Sequence, residues 1–520
     1  MGTLAPPCVP GGPVFQTAAE VALADELQVV RPDLVAPYAA ALPGARASVL
    51  GRLWRGLVHE PVPWVTGRET VRDGLVLRLA DGRRLHGPVQ DPWATGAVLK
   101  AVELDGAAYA HPARLLHALG VPYGEGFATE LDGSAASLAL SRTAPVAAGR
   151  PGASWEWEQR VVDGHPYHPG CRSRPGFTAA EQLAYAPEHR PVVRLPLVAA
   201  REAVVAGAWP DVLRDGTAVL VPVHPWQAAH VLPGPVRGPA LPARPLMALR
   251  TLHAQAAELG PGVDVKTALS ARLTSSVRDI SAYSVANAAV LSEFVEGLAA
   301  RLDGPLAGRL HITRTLGAVG APAPDLAAVL RESPDRYADR AAGESVVPVG
   351  SLGAVVPAGR RLEWLTAYAE LVVGIGLRLL ELGLALEAHG QNLLVVLDAG
   401  GEPRRLVYRD VADTRISPER LARHGIAVPA LTERQHTDDP AALRAKLFGS
   451  LVTGALGPLA GDAQTLGTLL EAALATVPDG PDAAALRTHP LPAKALTLMR
   501  LSAPGTGDVW AALPNPLAGA

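Results

Sequence analysis

The stretch from Leu362 to Arg409 constrains the fold of this chain more than any other. Leu365, Leu371, Val372, Ile375, Leu379, Leu382 and Leu386 recur at near-helical intervals and predict an amphipathic helix over 362–387, with Gly390 placed to close it. Two strand-like runs follow, 393–397 and 405–409, around Asp398-Ala399-Gly400-Gly401-Glu402, which predicts a hairpin. Pairing Asp398 with Pro403 across that turn puts Asn392 opposite Arg409 and next to Asp410. Helix and paired strands must therefore be built side by side. Glu370, Arg378 and Glu381 interrupt the most apolar long window, 364–386, so it reads as a helix with one wet face and not as a membrane span.

The rest of the chain changes texture twice. Residues 15–60 read as helical up to Pro61 and Pro63, and 75–79 with 84–86 predict a second hairpin across Asp81-Gly82, where the glycine supplies a positive φ. A small-residue stretch at 147–152 ends this first part. The middle, 155–350, is dense in His, Arg, Ser and Thr with short β-like runs such as 218–223, and beyond 412 helical texture returns. At a prior of roughly 150 residues per domain, a chain of 520 residues makes about three units, expected at 1–150, 151–355 and 356–520.

Composition narrows the function. The 47 basic residues against 50 acidic ones give a net charge of −3, without the positive field that nucleic acid demands. Only Lys100, Lys266, Lys446 and Lys494 are lysines, which leaves 43 arginines and gives each lysine extra weight. Cys8 and Cys171 are too few for a disulfide framework or a thiolate site, and 1–16 lacks the pattern of a secretory signal. A cytoplasmic protein with neither nucleic acid nor membrane as partner is expected.

Four constellations carry chemistry. The run 164–177 holds two His-Pro pairs, His165-Pro166 and His168-Pro169, with Arg172 and Arg174 in a stiff cationic loop suited to carboxylate or phosphate. His224-Pro225-Trp226-Gln227 follows an apolar run and makes a plausible cavity wall. From Lys266 to Asp279, alternating Leu269, Ala271 and Leu273 against Ser270, Arg272 and Thr274 predict a half-buried strand. The hydroxyl-rich turn after it, Thr274-Ser275-Ser276, serves equally as an anion cradle between Lys266 and Arg278 or as a helix N-cap. Glu387-Ala388-His389-Gly390-Gln391-Asn392 faces Arg409-Asp410 across the hairpin, with Glu387, Asn392 and Asp410 as hard oxygen ligands for Mg²⁺ and His389 or Arg409 for an anionic substrate.

These four stretches, in this order, resemble the aerobactin-synthetase (IucA/IucC) family of NRPS-independent siderophore synthetases. His165 to Phe177 is similar to the family's His-Pro-x-His-Pro…Lys-x-Arg-x-Gly-Phe loop, and 224–227 to its His-Pro-Trp-Gln. Lys266, Thr274, Ser275 and Arg278 resemble its Lys…Thr-Ser…Arg segment, and 389–392 with 409–410 its His-Gly-Gln-Asn and Arg-Asp. Arg250-Thr251 resembles a Ser-x-Arg-Thr stretch. Arg172 and Ala248 depart from the family's usual lysine and serine.

The resemblance implies an α+β fold shaped as a cupped hand of thumb, fingers and palm, and a homodimer. It implies ATP-dependent activation of a carboxylate, citrate or a relative, as an acyl-adenylate, then transfer to an amine, hydroxylamine or alcohol. ATP would meet His168, Arg250, Lys266, Ser270, Arg272, Thr274, Ser275, Arg278 and Asp410. The substrate would meet His165, Arg172, Arg174, Arg278, His389, Gln391 and Arg409, and Mg²⁺ would meet Glu387, Asn392 and Asp410. Arg278, His389 and Lys266 are the expected catalytic groups. A kinase-like phosphotransferase and a non-enzymatic anion-binding protein are the competing readings.

Overall fold

The computed structural model describes residues 14–518, apart from 97, 146, 201, 233–235, 274–275, 432, 504 and 506. Helices Ala18–Val30 and Val35–His59 fill the first helical stretch, and the second stops two residues before Pro61, which cannot donate to a further turn. Strands Val65–Val71, Gly74–Leu79, Arg84–Gly87, Val102–Leu104 and Ala107–Tyr109 then form an antiparallel meander. Its Asp81-Gly82 turn is as the sequence predicts, with Gly82 at φ 89°. Helices Pro112–Leu119 and Gly124–Ser141 complete this region, whose core packs Leu27, Leu50, Trp54, Leu116, Phe127 and Leu138.

The middle region centres on a nine-stranded antiparallel sheet. Its order is Val204–Gly207, Thr315–Gly320, Ala327–Glu332, Val263–Thr267, Thr251–Ala254, Val236–Pro245, Val193–Ala200, Ala218–Pro222 and Arg214–Asp215. Apolar side chains such as Leu195, Val221, Leu252, Val265 and Leu330 close its core. Beside it stands a separate ladder of Leu269–Leu273 with Ser276–Arg278. Leu269, Ala271 and Leu273 are buried while Ser270 and Arg272 are not, as the alternation predicts. The helix N-cap reading of the hydroxyl run fails at Ser276, which is already in the second strand; the next helix, Ala282–Ala299, is capped by Ser281 through Ser284 N–H.

The last region carries the long helix and the hairpin, and the helix ends earlier than its sequence predicts. The helix spans Arg361–Leu382 and ends at Gly383, not at Gly390. Gly383 takes φ 108°, and a side chain there would meet the Ser417 carbonyl at 3.0 Å, so glycine is needed where the chain turns into Leu384–Ala385, paired with Arg415–Ile416. The hairpin register holds from Leu393–Tyr408 to Val396–Arg405, and Arg409 N–H donates to the Asn392 carbonyl at 3.0 Å, but at the turn Pro403 pairs with Leu397 and not with Asp398, the shift falling between Val396 and Leu397. Leu310–Ile312 joins this hairpin in parallel and Ser345–Pro348 antiparallel, giving four strands. Helices Pro440–Leu451, Ala463–Ala475 and Pro481–Thr488 cover a core built on Trp364, Tyr368, Leu379 and Leu447. No helix among the described residues is long and apolar enough to cross a membrane.

Candidate functional site

The hairpin brings Asp410 to the sheet of the middle region. Asp410 leaves its ladder at φ 68°, a left-handed conformation that aspartate tolerates at a cost of about 1–2 kcal/mol. Lys266 donates to both its carboxylate oxygens, at 2.5 and 2.7 Å. Burial raises the Asp410 carboxyl, but Lys266 and Arg331 overcome it and hold the group well below the usual carboxylate range. Burial pushes the Lys266 ammonium down to about 8 against the pull of Asp410. Arg250 donates to the backbone carbonyls of Arg278 and Asp279. Ser270 sits in a relay, taking Gln227 Nε2–H at 2.9 Å and donating to Asp279 at 2.6 Å.

Several expected anion binders are turned to the protein instead. Arg409 is buried, donating to Glu158 at 2.7 Å and to the Gln391 carbonyl at 3.0 and 2.8 Å. It positions the His389–Asn392 loop. Arg172 donates to the Val162 and Val161 carbonyls at 2.8 and 2.5 Å, and Arg174 to Glu188 at 2.7 Å. The Asn392 amide donates to the Glu387 carbonyl at 3.2 Å. Thr274 and Ser275 lie outside the described residues.

A cavity of about 1030 Å³ opens next to this cluster. His165, His168, Arg172, Arg272, Arg278, Glu387, His389 and Gln391 line it, whereas Arg174, Arg250, Lys266, Ser270, Asn392, Arg409 and Asp410 are not among its lining residues. Among the described residues, eight arginines and lysines line it against four carboxylates, so it favours an anion.

Sequence reasoning missed Lys446 and Lys494 as cavity residues. Both donate to one oxygen of Glu387, at 3.2 and 2.9 Å, and hold its carboxyl down to about 2 although burial raises it. The scarcity of lysine was the available signal, since three of the four lysines stand at this site. Arg55 and Arg500, also lining, had no comparable signal among so many arginines.

The histidines have defined roles. His165 Nδ1 accepts Tyr167 N–H and His389 Nδ1 accepts Gln391 N–H, each at 3.2 Å. A neutral ring so engaged carries its hydrogen on Nε2, so each ring is a donor. Burial lowers both pKa values and keeps them neutral; for His389 Glu387 opposes the shift. His168 is buried, its pKa pushed down to about 3 by burial and by Arg500, Arg52 and Arg278, and neither ring nitrogen has a hydrogen-bond partner among the described residues. Such orphaned polar atoms in a cavity wall call for a polar ligand.

This donor set fits a nucleotide or another phosphate-bearing ligand. It does not make a magnesium shell: Glu387 is spent on two ammonium groups, Asp410 on Lys266, and no group of three or more His, Cys, Asp or Glu gathers among the described residues.

The fold is that of solved siderophore synthetases. Petrobactin biosynthesis protein AsbB from Bacillus anthracis superposes at TM-score 0.75, with 18% identity, over 97% of this chain and 98% of that one. The ATP-bound aerobactin synthetase IucA from Klebsiella pneumoniae superposes at 0.66, with 20% identity, over 90% and 99%. Residues 153–354 match the IucA / IucC family, a segment that holds the first three of the four motif stretches. Residues 362–509 match the ferric iron reductase FhuF-like transporter family. Among curated relatives, citryl-spermidine/3,4-dihydroxybenzoyl-citryl-spermidine:spermidine ligase of B. anthracis is 24% identical over 49% of this chain, and rhizobactin siderophore biosynthesis protein RhbC of Rhizobium meliloti 26% over 49%. The matched segment spans about half of each relative, 50% and 53%.

Proposed function

We propose that this chain is an ATP-dependent ligase that activates a carboxylate, citrate or a related polycarboxylate, as an acyl-adenylate and condenses it with an amine, hydroxylamine or alcohol, in the making of a siderophore or a related product. The observation that carries this reading is the cationic cavity in which His168 keeps two buried, unpartnered ring nitrogens. In the first step a carboxylate oxygen attacks the α-phosphorus of ATP and the bond to pyrophosphate breaks. In the second the acceptor attacks the acyl carbon, the bond to AMP breaks, and the acceptor gives up one proton.

Two anionic reactants repel each other, so their approach requires fixed positive charge at the point of reaction. Arg272 and Arg278 supply it from the two-stranded ladder, with Lys266 behind them. His389, a neutral donor through Nε2–H, is suited to an oxygen of the acyl group and not to proton abstraction. Lys494, a third of its side chain open, adds charge for a further carboxylate of the acyl substrate, and Lys446 braces Glu387 beside it. Holding these partners together accounts for much of the remaining acceleration. Magnesium enters this reading on the phosphates of the nucleotide. The segment 362–509 holds no cysteine and so offers no thiolates to a redox iron centre, which favours ligation over iron reduction there.

The test is pyrophosphate release from ATP with citrate, citrate amides, succinyl hydroxamates and 2-oxoglutarate. AMP and pyrophosphate are the expected products. ADP would establish a phosphotransferase instead, and citrate binding without ATP turnover an anion-binding protein.

A further inference from the structure

Among the described residues, three cations of the cavity wall are buried: Arg55, Arg172 and Lys446. Lys446 meets Glu387, and Arg172 lies 3.8 Å from Glu188 while its hydrogens go to backbone carbonyls. Arg55 forms no ion pair with the described residues, and the two carboxylates whose charge reaches it are committed elsewhere. Glu60 takes the N–H groups of Thr497 and Leu498, and Asp91 those of Trp93 and Ala463. Burial lowers the Arg55 pKa against the pull of Tyr167, Glu60 and Asp91.

The side chain is nonetheless fixed in place. In the last turns of helix Val35–His59, Arg55 Nε–H donates to the Pro92 carbonyl at 2.7 Å, and the guanidinium lies over the Tyr167 ring, 3.9 Å from Cζ to the centroid. Tyr167 O–H is itself tied to the Trp93 carbonyl at 3.0 Å. Arg55 Nη2 is buried and has no hydrogen-bond partner among the described residues. Burial above all, then His168, His389, Arg52 and Arg55, lowers the His165 pKa, which gathers these side chains about one ring. With its hydrogen on Nε2, His165 adds a second donor on the cavity wall beside Arg55. A buried guanidinium without an anion is costly, so a cavity that holds one is complementary to a carboxylate brought by the ligand.

We propose that Arg55 is a specificity contact of the acyl substrate: with His165 Nε2–H it holds a carboxylate other than the one that is activated, and it favours a charged carboxylate there over a neutral amide. This rests on the ligase reading above and assigns one arm of its first substrate. Arg272 and Arg278 stand at the reacting carboxylate and Lys494 at a further one, so Arg55 gives a third its own place. A carboxylate completes the ion pair that the protein leaves open, whereas an amide leaves the guanidinium buried beside a neutral group.

The test is calorimetric binding of citrate and of its monoamide at a terminal carboxylate to the full chain, with a non-hydrolysable ATP analogue present, for wild type, Arg55→Met and Arg55→Lys. Citrate can fill all three places, and the monoamide only two whichever way it turns. A charge-assisted hydrogen bond is worth on the order of 10–100-fold in affinity. Wild type should prefer citrate by that factor, Arg55→Met should bind citrate as weakly as the monoamide, and Arg55→Lys should keep part of the preference. Arg55→Gln, which keeps a donor for the Pro92 carbonyl, carries the same comparison if the methionine variant does not fold. Equal affinity of wild type for the two ligands, or a preference unchanged in the neutral variants, overturns the assignment; a merely structural arginine would weaken both ligands alike and leave the preference intact. Carboxylate-dependent ATP–pyrophosphate exchange separates the two readings. Exchange with a preference that does not depend on Arg55 defeats this assignment alone, and an Arg55-dependent preference with no exchange for any carboxylate defeats the ligase alone.

Discussion

The His-Pro loop and the lysine wall of the cavity use their cations differently. In the loop, Arg174 is 3% exposed and faces Glu188, which is fully buried. Arg172 is taken up by two backbone carbonyls. At the wall, Lys494 keeps a third of its side chain, 32%, open while it meets Glu387. Both places bring two cations to one glutamate, so charge count does not distinguish them. What does is whether a ligand can reach the cation: a buried arginine with its hydrogens donated inward is a brace, and a lysine open to the cavity is a contact.

The strongest challenge to that contrast is Arg174→Ala. It leaves Glu188 charged and buried, so urea unfolding should show a loss of about 3–5 kcal/mol. Near-normal stability with lost substrate affinity would make Arg174 a ligand contact after all. Next comes Arg278→Ala, expected to lower adenylation by about a hundred- to a thousand-fold with an unchanged melting temperature; turnover at the wild-type rate would remove it from the site. Lys494→Ala should raise KM for the carboxylate by about tenfold, the worth of one charge-assisted contact, while Lys100→Ala, on the exposed surface, serves as control.

The smallest effect is a pH limb. Lys266 is protonated below about 8 and loses its ammonium as pH rises through that value. ATP–pyrophosphate exchange should therefore fall above about pH 8, and Lys266→Arg, which stays charged, should flatten the limb. A limb of the same shape in that variant assigns it elsewhere.

The hairpin was legible because alternation and a glycine-rich turn are local signals, and its register placed Asn392 against Arg409 correctly. The helix end was misread because Gly383 and Gly390 are equally good caps in isolation. The choice was made by the Ser417 carbonyl, distant in sequence, which leaves no room for a side chain at 383. The motifs marked which stretches gather at the site, but not which way each side chain turns. Arg409 looked like a substrate contact because Glu158, its partner, lies 251 residues away. Lys446 and Lys494 both sat in the stretch that reads as helical, without a motif, although Lys494 ends the strand Leu491–Lys494, and only their rarity distinguished them.

The Glu158–Arg409 pair also bears on how the protein reaches its native state. Glu158 holds Arg409 through one oxygen and the Met247 amide through the other, tying three distant stretches together. Lys266 and Asp410 close a loop of 144 residues, and Lys446 and Glu387 one of 59. Contacts of such separation are entropically expensive to form early and slow a search dominated by them. During synthesis the first half of the chain can make its meander and part of its large sheet, yet Lys266 and the Glu158 oxygen that meets Arg409 must wait for their partners until the hairpin has left the ribosome. The cavity is thus among the last parts of the molecule to take shape.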